Sequence, residues 1–207
     1  MTAKTITTYF SLLSPWAYFG HAAFVDLARK YHLAIDYRPV FLGEIFAATG
    51  GLPLAQRPQA RKDYRILELQ RWREKRGITL NIHPKFWPFD VKLADKTVLA
   101  LMQEGHDPAA FISAAYHACW AQDENLADAA TLAKLLESVG LDPNLVEVAQ
   151  FDAAQKRYVE NVKMAIEAGA FGSPTYIWQG EVFWGQDRLD LLEDALKSGR
   201  AAYGVGA

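Results

Sequence analysis

The sequence predicts an α/β fold in which a mixed sheet is interrupted by a large all-helical insertion. Two observations point there. Strand signals cluster at the two ends of the chain, in residues 6–13, 34–41 and 175–184, and are nearly absent between them. The long middle instead carries good helix formers at helical spacing, punctuated by glycine and proline. The order is β-α-β, a helical block, then β-β-α. Neither end has enough strands for an independent sheet, so one discontinuous unit, residues 1–43 and 169–207, is expected to enclose a helical insertion over 44–168.

Each element has its own signal. Ile6 to Leu13 is β-branched and aromatic, and it breaks at Ser14-Pro15. Tyr18, Phe19, Ala22, Phe24, Val25, Leu27 and Ala28 then follow helical spacing, with Pro15 suited to a first turn and Ser14 at or beside the N-cap. Ala34 to Phe41 reads as a second strand. In the middle, Glu44–Thr49 and Arg57–Arg76 read as helices ending at glycine. The segment NIHPKFWPFD, with Pro84 and Pro88, must be an aromatic loop. Helices follow at 94–104, 108–122, 128–139, 143–149 and 151–168. A hairpin is predicted from Thr175–Trp178 and Glu181–Trp184 around Gln179-Gly180, and an amphipathic helix from Asp187 to Lys197.

Composition excludes several function classes. A formal net charge of −2 offers no basic field for nucleic acid, so small molecules are the expected partners. With no long apolar run and no signal-peptide pattern at the start, no membrane span is expected and the location is expected to be cytoplasmic. The single cysteine, Cys119, excludes an intrachain disulfide and a C-x-x-C pair, and its helical spacing with Ala115 and Ala118 reads as a buried, inert thiol. The five histidines, His21, His32, His83, His106 and His117, lack ligand spacing, and no metal site is expected.

Three motifs stand in order along the chain: YFSLLSPWAYFG at the front, LQRW at Leu69–Trp72, and GSPTYIWQGEVFWGQDRLDLLE at the back. With the β-α-β and Ser-Pro-hairpin-helix halves, they resemble the thioredoxin-like fold of the DsbA superfamily. Within it, the chain is similar to the branch of 2-hydroxychromene-2-carboxylate isomerases and kappa-class glutathione transferases, over nearly its full length. Thiol oxidoreductases of that fold carry C-x-x-C after the first strand, its first thiolate favoured by the helix N-terminus. Here the tetrapeptide is Ser14-Pro15-Trp16-Ala17, without a thiol.

The resemblance therefore implies a borrowed thiol. Glutathione is the expected cofactor, with Ser14 donating a hydrogen bond to its thiolate. Pro174 matches the cis-proline of the family, and Ser173 before it would pair with the cysteinyl backbone as an added strand does. Trp184, Gly185, Gln186 and Asp187 match the stretch that binds the γ-glutamyl group, where the Asp187 carboxylate suits an ammonium. Asp187 also reads as an N-cap or first-turn acid of the last helix, and the two roles are compatible.

Two positions depart from the family pattern. Thr49-Gly50-Gly51 replaces T-G-N, so no amide side chain is available at Gly51, and Ile45-Phe46-Ala47 stands where the isomerases carry a basic residue. Gln56 and Arg57 become the candidates for an anionic carboxylate, Arg57 offering a planar fork, with a solvated first-turn position as its other reading and Lys85 a weaker alternative. Trp87 reads as a pocket wall, helped by Trp16 and Tyr18, with Phe86 and Phe89 as core. The expected activity is glutathione-dependent isomerisation of 2-hydroxychromene-2-carboxylate or a related aromatic unsaturated keto acid. A kappa-type transferase or peroxidase and a non-catalytic glutathione- or peptide-binding module are the alternatives. The family implies a homodimer.

Overall fold

The computed structural model describes residues 4–206, so the outermost residues of the predicted terminal unit, 1–3 and 207, lie outside it. β1 (Thr5–Phe10) leads through a short loop to α1 (Pro15–Lys30), and β2 (Ala34–Pro39) returns parallel to β1. The helical block follows as α2 (Leu42–Thr49), a 3₁₀ turn at Leu54–Gln56, α3 (Gln59–Arg76), α4 (Lys92–Gln103), α5 (Ala109–Ala121), α6 (Ala129–Ser138), α7 (Leu145–Val148) and α8 (Asp152–Glu167). The chain then forms the antiparallel hairpin β3 (Thr175–Trp178) and β4 (Glu181–Trp184), a 3₁₀ turn at Gln186–Arg188, and α9 (Leu189–Ser198). The sheet order is β2-β1-β3-β4, with β3 antiparallel to β1. This is the mixed sheet that the two ends of the sequence predict.

β1 stops at Phe10 and not at Leu13 because its last polar groups leave the ladder. The Ser11 N–H donates to Ser173 Oγ and the Leu12 N–H to the Asp95 carboxylate. Likewise α3 begins at Gln59, two residues later than predicted. Arg57 precedes Pro58, and its ψ of 146° is the extended backbone that a following proline imposes. Arg57 is thus not a first-turn residue of a helix; it stands in the connection between the 3₁₀ turn and α3.

Apolar packing joins the helical block to the sheet. The largest buried cluster runs from Phe10, Leu12 and Tyr37 through Ala17 and Phe19 to Leu101, Phe111, Tyr116 and Trp120. A second, of Ile6, Phe24, Tyr176, Phe183 and Leu192, packs α1 and α9 onto the sheet. A third joins Tyr9 and Val40 to Ile45, Val162 and Ala165 of α2 and α8. Removing this surface from water holds the loop ends of β1, β3 and α3 around one rim. No helix of the described residues is long and apolar enough to cross a membrane.

Candidate active site

Ser14 is the N-cap of α1, with extended φ and ψ and a side-chain oxygen that accepts from the Ala17 N–H at 3.2 Å. A serine here satisfies one of the orphan donors of the first turn, and Pro15 enters the helix without a wasted donor. The Ser14 hydroxyl donates to the Ser173 carbonyl at 3.1 Å. The Ser173–Pro174 peptide is cis, and the Pro174 carbonyl accepts from the Gly185 N–H at 2.9 Å. Ser14, Ser173, Pro174 and Gly185 are therefore neighbours although they come from opposite ends of the chain.

A cleft of about 610 Å³ opens beside this junction. Ser173, Trp184, Gly185, Gln186 and Asp187 form one side, Trp16 reaches in from α1, and α3 with its approach supplies Arg57, Arg61, Tyr64, Arg65 and Trp72. Ser14 itself is 4 % exposed and lies behind Ser173, outside the cleft lining. Pro174 is also buried beneath the rim.

The γ-glutamyl candidates divide by role. Gln186 is buried, and its side-chain oxygen accepts from Arg76 Nε at 3.1 Å and Nη2 at 2.8 Å, which ties the turn to α3. The Asp187 carboxylate is partly exposed and paired to the adjacent Arg188 at 2.6 Å. Gly185 has φ 104°, and a Cβ there would lie 2.4 Å from Asp187 Oδ1. Glycine is required by this conformation, and the absence of a side chain lets the Asp187 carboxylate fold over it. Trp184 is half exposed and packs on Phe171, with ring centroids 4.6 Å apart.

Arg57, Arg61 and Arg65 recur every fourth residue, and all three line the cleft. Arg57 Nε donates to the Leu52 carbonyl at 2.8 Å, and its guanidinium lies 5.8 Å from the Phe46 ring centroid. Arg65 sits over Trp87 at 5.0 Å. Burial, with the Arg57 charge adding, brings the Arg65 guanidinium down to about 10, and burial with Arg61 lowers Arg57. An arginine side chain carries its charge at neutral pH, so α3 and its approach present cationic groups to this side of the cleft. The predicted Arg57 is in this wall. Arg61 and Arg65 lie four and eight residues beyond Arg57; within α3 the spacing of four puts Arg61 and Arg65 on one helix face, a signal legible in the sequence although no motif contains it.

Two predicted residues fall elsewhere. Gln56 is exposed and outside the cleft lining. Trp87 is also outside it: its Nε1 donates to the Leu13 carbonyl at 3.1 Å and its ring backs Arg65, so it supports the wall without forming it. Phe86 is 39 % exposed and not core, while Phe89 packs partly buried against the main cluster. Tyr18 turns away from the cleft, donating to the Thr79 carbonyl and stacking on Tyr116. At the other departure, a Cβ on Gly51 would lie 2.6 Å from Phe46 Cδ1. Phe46 occupies the space an amide side chain would need, and it does so while lying against the Arg57 guanidinium.

A family model described as the DSBA-like thioredoxin domain matches residues 5–197. The chain belongs to that family. Among relatives, it is 34 % identical over 196 residues to the 2-hydroxychromene-2-carboxylate isomerase of Sphingobium xenophagum, covering 93 % of this chain and 98 % of that protein. It is 31 % identical over 194 residues to the enzyme of the same name from Pseudomonas putida, covering 91 % and 92 %. A solved 2-hydroxychromene-2-carboxylate isomerase structure superimposes with a TM-score of 0.79 at 28 % identity, over 94 % of this chain and 95 % of that one. These relatives place this DsbA-like chain with the isomerases, as an enzyme. The lack of cysteine at both ends of Ser14-Pro15-Trp16-Ala17 agrees, since dithiol exchange has no thiol to use there.

Proposed function

We propose that this chain is a glutathione-dependent isomerase of 2-hydroxychromene-2-carboxylate or a related aromatic unsaturated keto acid. One observation carries the proposal: the Ser14 hydroxyl, at the positive end of α1, meets Ser173 at the rim of a cleft whose facing wall is arginine-rich. The residues present fit glutathione. Asp187, paired to the exposed Arg188, suits its α-ammonium, and Ser173 suits its cysteinyl backbone. When bound, glutathione supplies a thiolate able to add reversibly to a conjugated carbon, so that a formal double bond becomes single and can rotate.

The protein's own groups do the rest. Ser14 turns its hydroxyl from the Ser173 carbonyl toward the sulfur, and the α1 N-terminus favours the negative charge. Arg57 and Arg65 take the substrate carboxylate and hold the conjugated system flat against the cleft.

Initial rates with and without glutathione test this reading. Turnover is expected only with glutathione, and full activity without it would sink the proposal. A kappa-type transferase is the second reading, favoured by the openness of the aromatic wall: Trp184 is 48 % and Tyr64 57 % exposed. A panel of electrophiles separates the two, since an isomerase regenerates free glutathione and a transferase consumes it.

A further inference from the structure

Asp95, in the first turn of α4, is fully buried and accepts three hydrogen bonds. They come from the Ser11 hydroxyl at 3.0 Å, the Leu12 N–H at 2.9 Å and the Tyr158 hydroxyl at 2.8 Å. The loop is held elsewhere too. The Leu13 N–H donates to Ser11 Oγ at 3.3 Å, the Ser11 N–H to Ser173 Oγ at 3.2 Å, and the Tyr116 hydroxyl to the Ser11 carbonyl at 3.3 Å. Residues 11, 12 and 13 are thus each tied before the chain delivers Ser14, and the same network reaches Ser173, to which Ser14 donates.

Burying a carboxyl among uncharged partners costs free energy that an apolar side chain would not. What the network contributes is direction, because each bond fixes an orientation as well as a distance. We propose that Asp95 is a positioning residue: through Ser11 and Leu12 it fixes the loop that aims the Ser14 hydroxyl at the bound thiol. This rests on the glutathione reading above.

The test is a double-mutant cycle on the thiol pKa of bound glutathione, read from its ultraviolet thiolate absorbance in wild type, Asp95→Asn, Ser14→Ala and the double variant. Asp95→Asn is expected to raise that pKa and lower kcat about tenfold while changing glutathione Kd less than about threefold; in the Ser14→Ala background it changes each by less than about twofold. Loss of a negative charge acting through space would instead lower the thiol pKa. That result, equal changes in both backgrounds, or no effect of Asp95→Asn overturns the proposal alone. A wild-type chain that binds no glutathione overturns the underlying reading and this one with it. Should Asp95→Asn fail to fold, Tyr158→Phe, which removes one donor and keeps the carboxyl, takes its place in the same cycle.

Discussion

The Ser14 hydroxyl donates to the Ser173 carbonyl over 3.1 Å, joining the first turn of α1 to the residue before cis-Pro174. On the glutathione reading proposed above, Ser14 would serve both as a cap and as a donor to the thiol, and two measurements on one variant separate these roles. Ser14→Ala removes an N-cap, at about 1 kcal/mol of stability, and removes the donor meant for the thiolate, at roughly a hundredfold in kcat. Thermal melting and steady-state kinetics on the same preparation read both. A variant that melts lower yet keeps full turnover would leave Ser14 a cap and nothing more.

The arginine wall predicts a binding defect. Arg65→Gln should raise the KM for the carboxylate substrate about tenfold with little change in kcat. Arg57→Gln should do the same with a stronger dependence on salt, since Arg57 is held nearer the surface of the cleft than the more buried Arg65. Kinetics at low and high ionic strength distinguish them; unchanged KM in both variants would remove the anion from this wall.

Much of this was legible in the sequence, for reasons tied to particular residues. The hairpin Thr175–Trp178 and Glu181–Trp184 and the Ser14 cap are local signals, and they fall where predicted. Arg57 falls outside the helix that its spacing predicts, because Pro58 holds it in extended backbone. Trp87 is ambiguous in the sequence, because an aromatic residue in a proline-rich loop can face a cleft or back its wall; its bond to the Leu13 carbonyl puts it behind the wall. Asp95 had no local signal at all. An acid in a helical block looks solvated until the fold brings it under a loop more than eighty residues earlier.

Asp95 also sets a pH dependence of stability. Burial drives its carboxyl up to about 7, against the opposing bonds from Leu12, Tyr158 and Ser11. In the unfolded chain it has the ordinary value of about 3.9. Between these values the native state holds a proton that the unfolded state lacks, so this contribution is complete below about pH 4 and is lost as pH rises through about 7. Urea unfolding of wild type and Asp95→Asn across that range should show the variant gaining relative stability as pH rises. A difference that stays flat contradicts the assignment.

Cys119 should be silent. It is buried in α5, and burial, with the Asp123 charge adding, pushes its thiol up to about 12. The native chain is expected to resist alkylation by iodoacetamide at neutral pH and to react once unfolded, as mass spectrometry would record. Rapid native labelling would give this chain a reactive thiol of its own and weaken the case for a borrowed one.

The most direct test of that case is the state of the sulfur. Glutathione is titrated with the wild-type chain, and its thiolate absorbance is followed across pH. The account predicts saturable binding and a thiol pKa clearly below the ordinary cysteine value of about 8.5, with the depression lost in Ser14→Ala. Absence of saturable binding, or a bound thiol that titrates as it does in free solution, would contradict it.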